Sequence, residues 1–404
     1  MTSQKKPGGR IAVALAFVGV MFFAIGFALG INGALVPVLQ GSLGITGGVA
    51  YLITAATFLP FLLFGIPASM TIRAIGYKKT MALSFAMFAV AFALFIPAAN
   101  NASFPLFLIA SFIAGVANCF LQASVNPYIT ILGPLDSAAK RMSIMGVCNK
   151  LAWPIPAIFL TLVLGKSTGE IGVADLPVPF MIIIGAFVLL GILAMMAPLP
   201  EVKAAGEDEE TAQDSSYAAG KTSIWQFPHL LLGCIALFVY VGAETVSLQA
   251  LVDYATYYNL DNPAMYGWIG PVGMVIGYIF GIILIPKYLS QSKALLICSV
   301  IAISGSLLVV LLPAATSIWA IALIALGCSL MWPALWPLAM ADLGKFTKSG
   351  SSLLIMAMAG PVIILPLLGW LKESYGMQNA FWLCLPCFLY ILFYALWGHK
   401  VRKA

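Results

Sequence analysis

The chain has 404 residues, of which 62% are hydrophobic and only 8% are charged, and its mean hydropathy is +1.03. Soluble domains have roughly 45 to 50% apolar and about 25% charged residues, so the composition excludes a soluble fold and predicts an integral membrane protein. The formal net charge of +6 does not indicate nucleic-acid binding, because the basic residues are spread over short loops.

Twelve apolar segments, each of roughly the 20 residues that span a bilayer, follow one another along the chain. The first six lie at 11–39, 48–70, 79–97, 104–131, 141–165 and 177–197. The last six lie at 227–257, 264–286, 292–312, 316–342, 348–370 and 377–398. This pattern predicts an all-α membrane protein with twelve transmembrane helices in two six-helix halves, residues 1–197 and 227–404.

A polar stretch at residues 198–226 separates the two groups of segments. It contains an acidic run from Glu207 to Glu210 together with Gln, Ser, Ala and Gly, a composition typical of a solvated, flexible chain. We expect a cytoplasmic linker between the halves, which acts either as a simple tether or as a regulatory segment.

The basic residues test the number of segments independently, because cytoplasmic loops carry the excess of Lys and Arg. With the N-terminus in the cytoplasm, seventeen of the 20 basic residues fall in cytoplasmic segments, and only Lys166 and Lys372 fall in outside loops. The remaining one, Lys150, lies within the fifth segment. A missed helix would place every later loop on the opposite side of the membrane and would spoil this distribution. The distribution therefore supports twelve helices and predicts that both termini are cytoplasmic.

The fourth segment carries three amides, Asn118, Gln122 and Asn126, whose i, i+4, i+8 spacing places them on one helix face. Amides donate and accept hydrogen bonds, as recognition of neutral polyols such as sugars requires, although Asn and Gln also bond between helices in membranes. Asn126 can alternatively bond to a carbonyl freed by Pro127. A charged cytoplasmic turn at 136–141 leads into the fifth segment.

Asn149, Lys150 and Trp153 share a face of the fifth predicted helix. Lys150 lies roughly 14 Å from the cytoplasmic end at 1.5 Å per residue, too deep for its ammonium group to reach the interface easily. Glu244 is the one carboxylate well inside a predicted helix, and intramembrane acids are candidates for function. It can take up a proton, help to bind Na⁺, accept a hydrogen bond from a sugar, or neutralise Lys150. Trp153 offers an aromatic plane for a sugar or a packing surface.

Further candidates lie in the first and tenth segments. Asn32 is the candidate in the first segment, and Trp332 and Trp336 are spaced i, i+4 in the tenth, each followed by a proline. The two indoles either flank a sugar or pack around the helix kinks. The two histidines are far apart, no phosphate-binding loop is present, and all seven cysteines lie in apolar segments. We therefore expect no enzyme, no ATP-driven pump, no disulfide, no metal site and no cofactor.

Three stretches resemble the fucose/glucose/galactose permease family, and most closely its bacterial glucose/galactose and N-acetylglucosamine permeases. They are L-Q-A-S-V-N-P-Y-I-T-I-L-G-P-L-D-S-A-A-K-R-M-S-I-M-G-V-C-N-K at 121–150, Y-V-G-A-E at 240–244 and W-P-L-A-M-A-D-L-G-K-F-T-K-S-G-S-S-L-L-I-M at 336–356. The resemblance covers nearly the whole chain. It implies a major facilitator fold and sugar uptake across a bacterial inner membrane by alternating access, often coupled to H⁺ or Na⁺.

The chain also departs from the pattern of this family. The acids of the fucose-proton branch correspond here to Gly33 and Gln122, so those proton-linked residues are not carried over. In the nearer branch, a common Gly is replaced by Trp153, and a common Asp-Thr pair is replaced by Gln249 and Ala250. The resemblance therefore implies a sugar site with an altered lining, and it leaves the coupling ion open.

We expect a sugar transporter with a site formed by Asn32, Gln122, Asn126, Asn149, Lys150, Trp153, Glu244, Gln249, Trp332 and Trp336. Glu244 and Lys150 are the candidates for coupling to Na⁺ or H⁺; cation symport is the preferred mechanism and uncoupled facilitated transport is the alternative. A drug exporter on the same fold would need a more apolar pocket, and a membrane sensor would need a signalling domain. We expect a monomer in the bacterial inner membrane, with no nucleic-acid partner.

Overall fold

A computed structural model describes residues 7–131, 138–197, 199, 217–218, 220–261, 263–285 and 287–403. The regular structure in these ranges is helical, which confirms the predicted all-α fold. The α-helices are α1 Pro7–Leu43, α2 Gly47–Ala50, α3 Leu52–Asn100, α4 Phe104–Ile131, α5 Ala138–Ala152, α6 Ile155–Leu164, α7 Pro177–Met196, α8 Pro228–Tyr257, α9 Pro263–Tyr266, α10 Ile269–Leu284, α11 Gln291–Leu311, α12 Ala314–Ser329, α13 Met331–Met340, α14 Thr347–Ala357, α15 Pro361–Tyr375, α16 Met377–Ala380 and α17 Cys384–Leu396.

The helices are apolar on all sides, as expected for a bundle that lies in lipid. Ten helical segments of the described chain are long and apolar enough to cross a membrane. Large apolar side chains such as Leu162, Met196 and Ile66 are more than half exposed on the outer surface. A soluble protein rarely exposes such a surface, whereas hydrocarbon solvates it at no cost. The outer surface therefore supports the predicted membrane location.

The helix α3 merges two of the predicted segments. Its 49 residues would extend about 74 Å at 1.5 Å per residue, more than twice the hydrocarbon thickness of a bilayer. The backbone is non-helical at Gly76, with φ 83° and ψ 167°, a conformation that glycine adopts without steric cost. Gly76 therefore divides α3 into two arms, where the sequence predicted a longer connection at 71–78.

Several predicted single helices are broken instead. The fifth predicted segment consists of α5 and α6, which are separated at Trp153 and Pro154. The tenth consists of α12 and α13, and the eleventh of α14 and α15. Broken helices within a membrane are tolerated where they line a cavity or are buried in protein. Trp153 lies in the break, directly after the last residue of α5.

Close backbone contact fixes α1 against the break between α5 and α6. A Cβ on Gly26 would overlap the carbonyl oxygen of Asn149, and a Cβ on Gly30 would overlap that of Trp153. The two glycines are four residues apart, the spacing with which small residues let membrane helices approach closely. The side-chain nitrogen of Asn149 also donates to the carbonyl oxygen of Phe22 at 3.1 Å. The position of α1 thus fixes the backbone of two predicted site residues, Asn149 and Trp153.

Polar contacts join residues 7–197 to residues 228–403 mainly at one face of the bundle. We call the face where α1 begins the A face and the face where α1 ends the B face. At the B face, Asp253 forms an ion pair with Lys372 at 2.7 Å and accepts a hydrogen bond from the Tyr51 hydroxyl at 3.1 Å. The backbone nitrogen of Gly48 donates to Glu373 at 3.1 Å. These contacts hold the two parts of the chain together at the B face.

Two predictions fall largely outside the described residues. The charged turn at 136–141 is described only from Ala138 onward, where Arg141 is buried and its Nε donates to the carbonyl oxygen of Ile129 at 3.0 Å. The acidic run at 207–210 in the predicted linker lies outside the described part of the chain.

Candidate functional site

A cavity lies at the centre of the bundle, between α1, α4, α5, α8, α10 and α13. We call it the central cavity. The centre of a water-sized sphere can occupy about 80 Å³ of it, enough for several waters at about 10 to 15 Å³ each. Seven of the ten predicted site residues line it: Gln122, Asn126, Asn149, Lys150, Trp153, Glu244 and Trp332.

An ion pair crosses this cavity. The Nζ atom of Lys150 on α5 lies 2.9 Å from Oε1 of Glu244 on α8, and their side chains are only 8% and 11% exposed. Lys150 also lies 4.9 Å from the ring centroid of Trp153, within the range of a cation–π contact. Buried charges require such partners, because desolvation costs several kcal/mol per ion. Of the roles predicted for Glu244, the structure places it as the partner of Lys150 in this conformation.

The amides of α4 lie beside the ion pair. Gln122 Nε2 donates to Asn118 Oδ1 at 3.0 Å, so these two residues bond to each other along the helix. Asn126 is 2% exposed, and neither atom of its carboxamide has a hydrogen-bond partner among the described residues. Asn126 therefore does not bond to the carbonyl freed by Pro127. A buried polar group without a partner costs about 1 to 3 kcal/mol, a cost typical of sites that bind a polar ligand.

Tryptophan side chains close one side of the central cavity. The rings of Trp332 and Trp336 lie 5.3 Å apart at an interplanar angle of 31°. Trp332 lines the cavity, whereas Trp336 is buried behind it and does not. Of the two predicted indoles, Trp332 alone lines the central cavity among the described residues. Trp336 supports the ring of Trp332 by packing.

Two other predicted residues lie away from the central cavity. Asn32 donates from Nδ2 to the hydroxyl of Thr57 at 3.0 Å and joins α1 to α3. Gln249 accepts a hydrogen bond from the hydroxyl of Thr54 at 2.8 Å, toward the B face. Neither Asn32 nor Gln249 lines the central cavity in this conformation, and both bond to α3, so their predicted roles in sugar binding stay predictions.

The structure adds two tyrosines that sequence reasoning missed. Tyr240 and Tyr278 line the central cavity. Tyr240 lies four residues before Glu244, so helical spacing places both on one face of α8 and could have indicated this residue. Its hydroxyl has no hydrogen-bond partner among the described residues. Tyr278 packs against Gly146, where a Cβ would lie 2.5 Å from the ring. Only the tertiary structure reveals that contact.

Comparison with known proteins gives consistent results. Residues 16–358 match the sequence model of the Major Facilitator Superfamily. The chain is 31% identical over 417 residues to a glucose/galactose transporter of Brucella abortus, covering 99% of this chain and 96% of that protein. It is 26% identical over 410 residues to the L-fucose-proton symporter of Escherichia coli, covering 95% of this chain and 92% of that protein.

A solved structure supports the same fold. The crystal structure of FucP, described as a Major Facilitator Superfamily transporter in the outward conformation, superposes with a TM-score of 0.74. The two chains are 24% identical, and the superposition covers 96% of this chain and 99% of that one. At this identity the likeness shows the fold alone.

Proposed function

This chain belongs to the Major Facilitator Superfamily, as its motifs predicted, and we propose that it carries a hexose or an N-acetylhexosamine across a membrane by alternating access. One observation carries the proposal: a buried ion pair and the amide of Asn126, which has no hydrogen-bond partner among the described residues, face the same central cavity. Sugar hydroxyls both donate and accept hydrogen bonds, so they match an ammonium, a carboxylate and a carboxamide. The names of the relatives, which specify glucose, galactose and fucose, support the same substrate class.

The proposal includes a specific topology. Twelve membrane crossings follow if the two arms of α3 each span the bilayer and if α9 and α10 together form another span. The two halves are then residues 1–197 and 227–404, joined by a cytoplasmic linker at 198–226. The distribution of basic residues supports cytoplasmic termini, which makes the A face cytoplasmic and the B face the outside. Because these relatives are bacterial, we place the protein in the inner membrane. That it acts as a monomer stays a prediction.

In this orientation, polar contacts between the two halves lie on the outside of the site. The ion pair between Asp253 and Lys372 and the hydrogen bond between Thr54 and Gln249 join the halves at the B face. Alternating access requires these contacts to break when the site opens outward. They are thus the contacts whose loss favours the outward-open state.

Two coupling mechanisms compete at Glu244. The first is cation symport, in which Glu244 takes up H⁺ or helps to bind Na⁺, as intramembrane acids commonly do. The second is facilitated transport without a coupling ion, and the observed ion pair favours it. The ammonium group of Lys150 lies 2.9 Å from the carboxylate and occupies the place beside it that a coupling cation would take.

Uptake into proteoliposomes tests the function and separates the two mechanisms. Labelled D-glucose, D-galactose and N-acetyl-D-glucosamine are offered with imposed Na⁺ or H⁺ gradients and without them. Accumulation above the outside concentration under one gradient identifies symport. Equilibration under all conditions identifies a facilitator. If no sugar enters faster than it enters empty liposomes, the proposed function is refuted.

A further inference from the structure

A second cavity lies between the central cavity and the B face. We call it the outer cavity. The centre of a water-sized sphere can occupy a volume of about 230 Å³ in it. Its lining includes Gly33, Trp153, Ala157, Gln249, Met265 and Trp268. Trp153 lines both cavities, so this residue lies where they adjoin. A solute that passes from the outside to the central cavity by this route has to pass Trp153.

Gln249 gives the outer cavity an unusual polar group. The residue is only 7% exposed, and its Oε1 is held by the hydroxyl of Thr54 at 2.8 Å. Its Nε2 has no hydrogen-bond partner among the described residues. Buried side-chain nitrogens are nearly always paired with protein or water, so an unpaired one beside a cavity indicates a ligand that accepts hydrogen bonds.

The remaining lining matches a sugar better than a lipid. The described residues that line the cavity carry no charge, and they include two indole side chains, Trp153 and Trp268. Indole planes pack against the apolar faces of pyranose rings, and a carboxamide N–H donates to ring hydroxyls. Met265 at the rim is 69% exposed, so a lipid chain could reach the cavity. An acyl chain, however, has no acceptor for the amide of Gln249.

The side chain of Trp153 is also suited to act as a movable barrier. Its backbone is held in place, because a Cβ on Gly30 would overlap its carbonyl oxygen. Its ring contacts the Nζ atom of Lys150 at 4.9 Å from the ring centroid. Rotation about the side-chain bonds would therefore open the partition without moving α5 or α6. The same rotation would release the contact with Lys150.

We propose that the outer cavity is a second binding subsite for the transported sugar and that Trp153 is the gate between it and the central cavity. The proposal rests on the proposed function for its ligand. A sugar arriving from outside binds first to Gln249 and the two indoles. It then passes Trp153 and reaches the ion pair of Lys150 and Glu244.

A thiol placed in the outer cavity tests this proposal. Ala157→Cys is introduced into a chain in which the two half-buried native cysteines, Cys148 and Cys234, are replaced by Ala. A membrane-impermeant methanethiosulfonate is added outside proteoliposomes, and the rate of labelling is measured against the concentration of D-glucose or D-galactose. We expect the sugar that the wild type transports to slow labelling in a saturable way. The control is Gly169→Cys in an exposed loop, where a Cβ meets no atom within 4 Å and sugar should not change the rate.

Two further variants decide where the protecting sugar binds. Lys150→Met combined with Glu244→Met removes both charges of the central cavity, and protection of the thiol should persist. Gln249→Leu should raise the half-protecting sugar concentration roughly 3- to 10-fold, the value of one hydrogen bond. Thr54→Val removes the hydrogen bond to Oε1 of Gln249 but leaves Nε2 of Gln249 available to the sugar. It should therefore raise the half-protecting sugar concentration less than Gln249→Leu does.

Two results overturn the proposal. In the first, the wild type transports a sugar that does not slow labelling of the thiol at position 157. The outer cavity would then bind lipid and not the transported sugar. The other is protection that disappears in the Lys150→Met, Glu244→Met variant, which would assign the effect to the central cavity. Absence of transport in the wild type refutes the proposed function instead, so the two failures are distinguishable.

Discussion

Replacing Glu244 with Gln tests whether the central ion pair binds sugar or only stabilises the fold. The change leaves the ammonium group of Lys150 buried without a counter-charge, and both side chains are about nine-tenths buried. Removing one partner of a buried pair costs about 3 to 5 kcal/mol. We expect the lower end of that range, because the side-chain oxygen of Gln still accepts a hydrogen bond from Lys150.

The double variant Lys150→Met, Glu244→Met provides the decisive comparison. Replacement of a buried pair by apolar side chains of similar size is often neutral or stabilising. The free energy of unfolding of this variant should therefore lie within about 1 kcal/mol of the wild-type value. In a calorimetric titration, the single and the double variant should lose sugar binding at the central cavity and keep only the binding at the outer cavity. Wild-type sugar affinity in the double variant would refute the reasoning, because the pair would then be structural.

An exposed ion pair supplies a matched control. Lys166 and Asp175 lie 2.6 Å apart in the loop after α6, with side chains 42% and 25% exposed. The hydrogen bond from Lys166 lowers the pKa of Asp175, so the pair is charged at neutral pH. Exposed pairs contribute about 0 to 1 kcal/mol. Asp175→Asn should therefore leave both stability and transport almost unchanged.

The remaining predictions concern an unpaired amide, a helix contact and the outer seal. Asn126→Leu should weaken sugar binding at least tenfold but raise thermal stability by about 1 kcal/mol, since it removes a buried amide without a partner; a fall in stability with unchanged affinity would contradict this. Gly30→Ala should prevent normal packing and lower the yield of folded protein, because its Cβ would overlap a backbone oxygen. Gly41→Ala, where a Cβ meets nothing within 4 Å, should be neutral or stabilising by up to about 1 kcal/mol. Asp253→Asn removes one charge of the pair with Lys372 and should increase the rate at which an impermeant thiol reagent reaches the outer cavity; an unchanged rate would exclude this pair from the seal.

Sequence reasoning located much of the central cavity for a clear physical reason. Lys150, Glu244 and Gln122 are polar groups in apolar runs, and hydrocarbon tolerates such groups only where they find partners or a cavity. The structure indeed brings these three residues to one cavity. The helical character of the chain followed from the same apolar runs.

The errors arose where helices break or where several helices must be positioned. Trp336 was assigned to the cavity by its i+4 spacing from Trp332, but the break between α12 and α13 lies just before these residues, and Trp336 packs behind its partner. Asn32 is a polar group in an apolar helix, yet its partner is Thr57 on the neighbouring α3. Tyr278 joins the cavity through its contact with Gly146, which lies more than a hundred residues earlier in the chain.

The contact between Gly146 and Tyr278 has a mechanical consequence for transport. Gly146 belongs to α5 and Tyr278 to α10, so this contact connects residues 7–197 with residues 228–403 beside the central cavity. The ring of Tyr278 packs against the backbone of Gly146, which has no side chain. No interlocked side chains therefore oppose a tilt of one helix against the other at this contact. Under the proposed alternating access, the absence of a side chain at Gly146 would let α5 and α10 tilt against each other while Tyr278 stays in contact.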